Sequence, residues 1–163
     1  MSQATTLIKK LSDEIEGEIT TADFIDRLVM FKSGPTGDGS AGVASKLKSA
    51  NRTQEAILAE TMMECFSKLL MKYEHFNSGQ ELFSLFLCRI YDVFTHKILP
   101  ECHKLKPSEI DDIISKDIVD PILSDVGEGC EHFVITHAEI RGMIYWLAER
   151  CFVRWNDSQS ATP

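Results

Sequence analysis

A chain of 163 residues with 44% hydrophobic and 26% charged side chains has the size and make-up of one globular domain, large enough to bury a core without metal or disulfide staples. Its net charge of −8 speaks against an extended phosphate-binding surface, which needs clustered Lys and Arg to displace counterions. No run of roughly 18 apolar residues is present to span a membrane, and five scattered cysteines, an odd number, fit a reducing cytoplasm better than a disulfide framework.

The N-terminus turns acidic by Asp13 without an apolar segment before it, so no secretory signal is expected. Residues 5–16 read as a short helix ending near Gly17, and Thr20 or Thr21 can cap a second one carrying Phe24, Leu28 and Phe31 on one side. Residues 33–42 form the one glycine-dense stretch, a connector between the N-terminal helices of 1–32 and a main helical body over 43–156 that completes one domain with them. Within it Gly37, Gly39 and Gly42 match the G-x-G-x-x-G spacing of a dinucleotide site. That chemistry requires a strand-turn-helix-strand unit, and here helix follows helix, so a connector is the expected role.

Asn51 is placed to cap a long helix whose stripe runs through Leu58, Met62, Cys65, Phe66, Leu69, Tyr73 and Phe76. Asn77-Ser78-Gly79 reads as a break, followed by a helix from Gln80 to about Leu99 that is apolar nearly all round and therefore central. The short break predicts that the two helices pack as an antiparallel hairpin. Pro100 ends the second, and Ser108 is expected to cap the next, with Ile110, Ile113, Ile114 and Ile118 facing inward, a kink or restart at Asp120-Pro121, and a stop at Gly127. Residues 101–131 hold nine Asp or Glu against three Lys, which reads as an acidic, solvated face.

Thr136 and Glu139 form a capping box in front of a last helix whose Ile140, Met143, Ile144, Leu147 and Cys151 share one face. The β-prone run 132–135 pairs most economically with 151–155 as a two-stranded ribbon. The tail 157–163 is expected to be disordered. The fold expected overall is mainly α: a single-domain bundle of about five to seven helices around a central antiparallel hairpin, with a short β element near the C-terminus.

No set of residues announces catalysis. Cys102, His103, Cys130 and His132 are metal-ligand types in two loops, but neither pair has the spacing of a structural zinc site. Cys151 beside Arg150 could have a lowered thiol pKa, yet it also completes an apolar face. His137 reads as a surface residue, and Asp111 and Asp112, adjacent on a helix, point apart. No catalytic, metal or cofactor-binding residue is therefore assigned. The outer side of the last helix and the short segment after it carry Tyr145, Trp146, Arg150, Arg154 and Trp155, residue types that anchor protein interfaces, and these are the candidate partner-binding residues; the competing expectation is that the two Trp cover the core.

Four runs, 41–52 (AGVASKLKSANR), 72–100, 108–123 and 139–155 (EIRGMIYWLAERCFVRW), together resemble the helical C-terminal domain or subunit of bacterial ABC three-component conflict systems, the Lamassu-like anti-phage systems. Arg141, Gly142, Met143, Ile144, Tyr145, Trp146, Leu147, Cys151, Arg154 and Trp155 carry the most specific part, and the resemblance covers about residues 10–156. It implies a cytoplasmic, non-catalytic module without cofactors. Such a module would couple an SMC-like ABC ATPase to an effector such as a nuclease, with self-association as a further expectation. Family members usually carry this domain behind an effector domain, and this sequence shows none, so the expectation is either a stand-alone subunit beside a separate effector or a chain in which only the coupling function survives. The rival readings are a small Cys/His metal-dependent or thiol enzyme and a nucleic-acid-sensing adaptor using Lys46, Lys48, Arg52, Lys68 and Lys72, the latter ranked lower because the whole is acidic.

Overall fold

The computed structural model describes residues 2–18, 28, 31–32, 42–127, 132–150 and 152–156. Thr20, Thr21, Phe24, the glycine triplet's Gly37 and Gly39, Cys130, Cys151 and the tail from 157 lie outside the described residues. The chain is mainly α-helical, as the apolar periodicity predicts, and no strand occurs among the described residues. Phe133 is buried and makes an isolated bridge, but no two-stranded ribbon is formed among the described residues; residue 151 of the expected second strand lies outside them.

Helix α1 (Gln3–Glu16) starts at Ser2, whose hydroxyl accepts the Thr5 N–H at 3.1 Å, and ends at Gly17. Leu7, Ile8 and Leu11 are its buried stripe. Helix α2 (Val43–Ser49) ends in a Schellman motif. Asn51 adopts a left-handed φ of 61°, its N–H reaches the Lys48 carbonyl, and the Arg52 N–H reaches Leu47 at 2.7 Å. Asn51 thus terminates α2 rather than capping the long helix, because a short polar side chain tolerates the left-handed region that such a terminus requires.

A 3₁₀ turn (Thr53–Glu55) leads into the long helix α3 (Ala56–Tyr73), and after residues 74–76 comes α4 (Asn77–Val93). Asn77, Ser78 and Gly79 are therefore the first turn of α4, not a break. Glu14 of α1 accepts the Ser78 N–H at 3.2 Å, placing a negative charge at the positive end of α4. At Gly79 any Cβ would run into the Tyr73 carbonyl, so only glycine lets the chain fold back this tightly.

Helix α5 (Pro107–Ile114) and helix α6 (Asp120–Val126) are joined through a π-turn (Ser115–Val119), and a second π-turn (Phe94–Ile98) follows α4. Each π-turn lies two residues before a proline. Asp120 donates its N–H to Ser115, and Leu99 donates to Phe94, both five residues back. Widening the turn moves the backbone away from the pyrrolidine rings of Pro121 and Pro100, which would otherwise meet the carbonyls four residues back. The α5–α6 rod thus passes through Pro121 instead of stopping there. The N-cap of α5 is Lys106, whose N–H Glu109 accepts at 3.1 Å. Ser108 lies inside the first turn, since Pro107 occupies the first helical position where its missing N–H leaves no bond unmade. Gly127, with φ of 66°, ends α6.

The last helix, α7 (His137–Glu149), opens with the capping box: Glu139 accepts the Thr136 N–H at 3.1 Å. It is the principal partner of α3. The expected hairpin is corrected accordingly, for α3 and α4 meet only sparsely beyond their turn, with Phe66 and Phe83 touching at 5.9 Å. Gly142 explains the preference for α7. A Cβ there would collide with the Met62 carbonyl and crowd Phe66, so its hydrogen lets the α3 and α7 backbones approach. Helix α4 fills the centre, as its nearly continuous apolar surface predicts: Leu82, Phe83, Phe86, Leu87 and Ile90 are buried, with α1 on one side and α7 and the α5–α6 rod nearby.

Candidate functional site

The C-terminal aromatic and arginine set is brought together, but facing inward. Tyr145, Trp146 and Trp155 are all buried. Trp146 stacks edge-on against Phe66 at 5.5 Å, and Trp155 meets Phe94 and Tyr145, each at 5.9 Å. The exposed aromatic face expected of these residues is corrected to core, because α7 is enclosed on nearly its whole circumference: every residue from Gly142 to Ala148 is buried. Arg150 and Arg154 remain half-buried. The Arg150 guanidinium lies 3.8 Å from the centre of the Trp146 ring and donates to the Trp146 carbonyl at 3.2 Å, covering the indole like a lid. Burial pulls its pKa below the ordinary arginine value, partly offset by Glu149.

Two buried cations organise the polar side of this region. Lys46 of α2 reaches the Ala148 carbonyl at 2.6 Å and the Val153 carbonyl at 3.2 Å, placing positive charge at the C-terminus of α7. Conversely, Glu149 accepts the Val43 N–H at 3.4 Å at the start of α2. The ends of the two helices are thus clamped by opposite charges.

Arg52 sits where three elements converge. One of its terminal nitrogens donates to Glu55 and to Asp111, both at 2.8 Å, and the other to the Pro107 carbonyl at 2.9 Å. Tyr145 donates its hydroxyl to the second oxygen of Glu55 at 3.1 Å. The approach to α3, the start of α5 and the middle of α7 are therefore tied through one guanidinium. The planar fork suits this, since one nitrogen bridges two carboxylates while its neighbour satisfies a carbonyl. A cleft of about 240 Å³, lined by Arg52, Glu55, Asp111, Arg141, Tyr145 and Trp155, opens beside the cluster. Cys102 lines a smaller neighbouring cleft with Asn51, Arg52 and Trp155.

Burial, followed by the negative charge of Glu55, pushes the Tyr145 phenol well above the usual tyrosine range. A raised folded-state pKa stabilises the protein below the unfolded value of about 10, and that stability is lost as pH rises through the folded one. Replacing Tyr145 by Phe is expected to cost about 1 kcal/mol at neutral pH and to flatten the loss of stability above about pH 10. Urea denaturation across an alkaline pH series measures both.

The other candidates separate. His132 lies beside α1, its Nε2 3.2 Å from Glu16, while Cys102 belongs to the cleft by Arg52 and His103 is exposed. Among the described residues no three His, Cys, Asp or Glu side chains converge on a point that could hold a metal. His137 is exposed. Asp111 and Asp112 diverge as expected, with Asp111 alone turned to Arg52. The proposed basic set also breaks up, since Lys46 and Arg52 are buried in structural roles while Lys48, Lys68 and Lys72 are exposed. Sequence reasoning missed the Arg52 cluster; the only local trace of it is the i, i+3 spacing of Arg52 and Glu55.

No described helix is long and apolar enough to cross a membrane. No curated protein and no solved structure matches the chain. The family model for C-terminal domain 9 of the ABC-three component (ABC-3C) systems matches residues 42–155, a span that contains the Lys46 clamp, the Arg52 cluster and the α3–α7 pair, and the chain belongs to that family.

Proposed function

We propose that this chain is a non-catalytic assembly subunit of a cytoplasmic anti-phage defence complex, coupling an SMC-like ABC ATPase to an effector such as a nuclease. The observation that carries the reading is the family match over residues 42–155, because a domain of a multi-component system works through its contacts with the other components. With the aromatic rings committed to the core, those contacts fall to outward faces. Ile57 and Leu58 at the start of α3 are 80% and 57% exposed, and exposed apolar side chains grouped on one element favour protein contact. Arg150 at the end of α7 and Arg154 in the segment after it, both half-exposed, are the members of the C-terminal set within a partner's reach. Glu109, Asp112 and Asp120 expose their carboxylates along the α5–α6 rod, which disfavours a nucleic acid as the main partner. In the complex the subunit holds the effector inactive until the ATPase senses invading DNA.

Co-expression with the products of the neighbouring genes tests this. The chain is expected to co-elute in size-exclusion chromatography with an ATPase and an effector. Elution of the chain by itself, with and without ATP and DNA, would sink the proposal.

A further inference from the structure

Helix α4 is enclosed along most of its length, yet near its C-terminal end one flank is open: Cys88, Arg89, Tyr91 and Asp92 are exposed. Where that flank meets the first turn of α1 and the end of α6 lies a cleft of about 470 Å³, lined by Leu85, Cys88, Arg89, Tyr91, Asp92 and Asp125. That is the size of a site for a small ligand or a deeply inserted side chain. The Asp125 carbonyl accepts the Ser2 and Thr5 hydroxyls at 3.0 and 2.8 Å, so the end of α6 is held against the start of α1 and the cleft has a fixed wall. Tyr91 is 41% exposed, and Phe152, edge-on at 6.1 Å, steadies its ring. A hollow of about 380 Å³ continues past Leu85 and Cys88, and another of about 270 Å³ past Arg89 and Asp92. A polypeptide entering the cleft therefore has room to run on at either side.

The charges in the cleft are unequal. Arg89 is paired with Asp125 at 3.2 Å, whereas Asp92 has only the His96 imidazole, 3.6 Å away, which carries charge only when protonated. The next cation along, Lys97, turns to Asp117 at 3.3 Å. One carboxylate is thus left unmatched beside an accessible aromatic ring. An anionic occupant would meet two carboxylates of its own sign, and a purely apolar one would cover Asp92 without a partner. A cation on an apolar stem satisfies both features, since the ring attracts it and the carboxylates accept its hydrogen bonds. Guanidinium fits best, because its plane stacks on a ring while its fork of donors reaches carboxylates at the edge. We propose that this cleft receives an arginine side chain presented by an extended segment of a partner polypeptide. The net charge of −8 draws such a basic segment toward the molecule. The proposed contact rests on the assembly role above and supplies the chemistry of one of its surfaces. The two fail separately: a chain that co-elutes with an ATPase and an effector yet ignores arginine peptides keeps the role and loses the cleft.

The probe is the peptide acetyl-Ala-Ala-Arg-Ala-Ala-amide, titrated at low ionic strength into the isotope-labelled chain and followed by the backbone amide resonances of Cys88, Tyr91 and Asp92. Saturable shifts with a Kd on the order of 1 mM are expected for a single anchored side chain. The same peptide with citrulline, which keeps the shape and loses the charge, should bind roughly tenfold more weakly. A lysine peptide should also bind less tightly, for want of the planar fork. Asp92→Asn should weaken binding of the arginine peptide roughly tenfold, Tyr91→Leu roughly threefold, and Cys88→Trp, which fills the cleft, should abolish it. Circular dichroism is expected to be unchanged in all three, because each side chain is exposed. An arginine peptide that shifts none of these resonances overturns the proposal. So does equal binding of the citrulline or lysine peptide, or binding that survives Asp92→Asn or Cys88→Trp.

Discussion

Trp146→Ala is expected to destabilise the protein by about 4 kcal/mol, the upper part of the range for emptying a buried aromatic site, and to lower the melting temperature by roughly 10 °C. The ring is buried at the contact between α7 and α3, edge-on to Phe66. Removing it opens a cavity between two backbones held in register by the Gly142 contact, so the site has little freedom to collapse. Arg150→Ala removes only the cover of the same ring. Its guanidinium is half-buried and stacks on Trp146, so a loss of about 1 kcal/mol is expected, with helix content intact. Thermal denaturation followed by circular dichroism compares the two. Near-equal, small losses would show that Trp146 is not the packing residue its burial indicates.

Arg52→Ala is expected to cost about 2 to 3 kcal/mol, below the full penalty for breaking a buried ion pair. The guanidinium side chain is 5% exposed, but its partners Glu55 and Asp111 are 31% and 55% exposed and can rehydrate once it is gone. What cannot rehydrate as easily is the link itself: the Pro107 carbonyl at the start of α5, Asp111 one turn further on and Glu55, with Tyr145 behind it, lose their common donor. Arg52→Lys should recover only part of the loss, because one ammonium on a flexible stem cannot reproduce two nitrogens held in a plane. Combining Arg52→Ala with Asp111→Asn should cost less than the sum of the two single changes. Urea denaturation of the four proteins measures this coupling, and strict additivity would remove Arg52 from its role as the tie between α3 and α5.

The helices were legible because burial leaves a 3.6-residue period in the sequence. The stripe of α1, the nearly all-round apolar α4 and the isoleucine face of α5 could all be read from spacing alone. So could Gly17, Gly127 and the Thr136–Glu139 box, whose roles are local and need no distant partner. Three termini read differently in the structure. Asn51 serves either end of a helix, Ser108 competes with a proline that prefers the first helical position, and Asn77-Ser78-Gly79 is turn-like in composition yet begins α4. Choosing among these depends on what the neighbouring chain can satisfy, such as Glu14 accepting the Ser78 N–H from another helix.

The candidate site shows the same division. Residue order alone was enough for a mainly helical chain, the family it resembles, and the grouping of Tyr145, Trp146, Arg150, Arg154 and Trp155. It took the packed fold to establish that the rings are core, that α3 pairs with α7 rather than α4, and that Arg52 meets Asp111 across 59 residues of chain. The physical reason is that periodicity records which side of a helix is apolar and not what covers it. On α7 both sides are covered, so even residues typical of interfaces turn inward. On α3 a stripe just as apolar in sequence is left partly open.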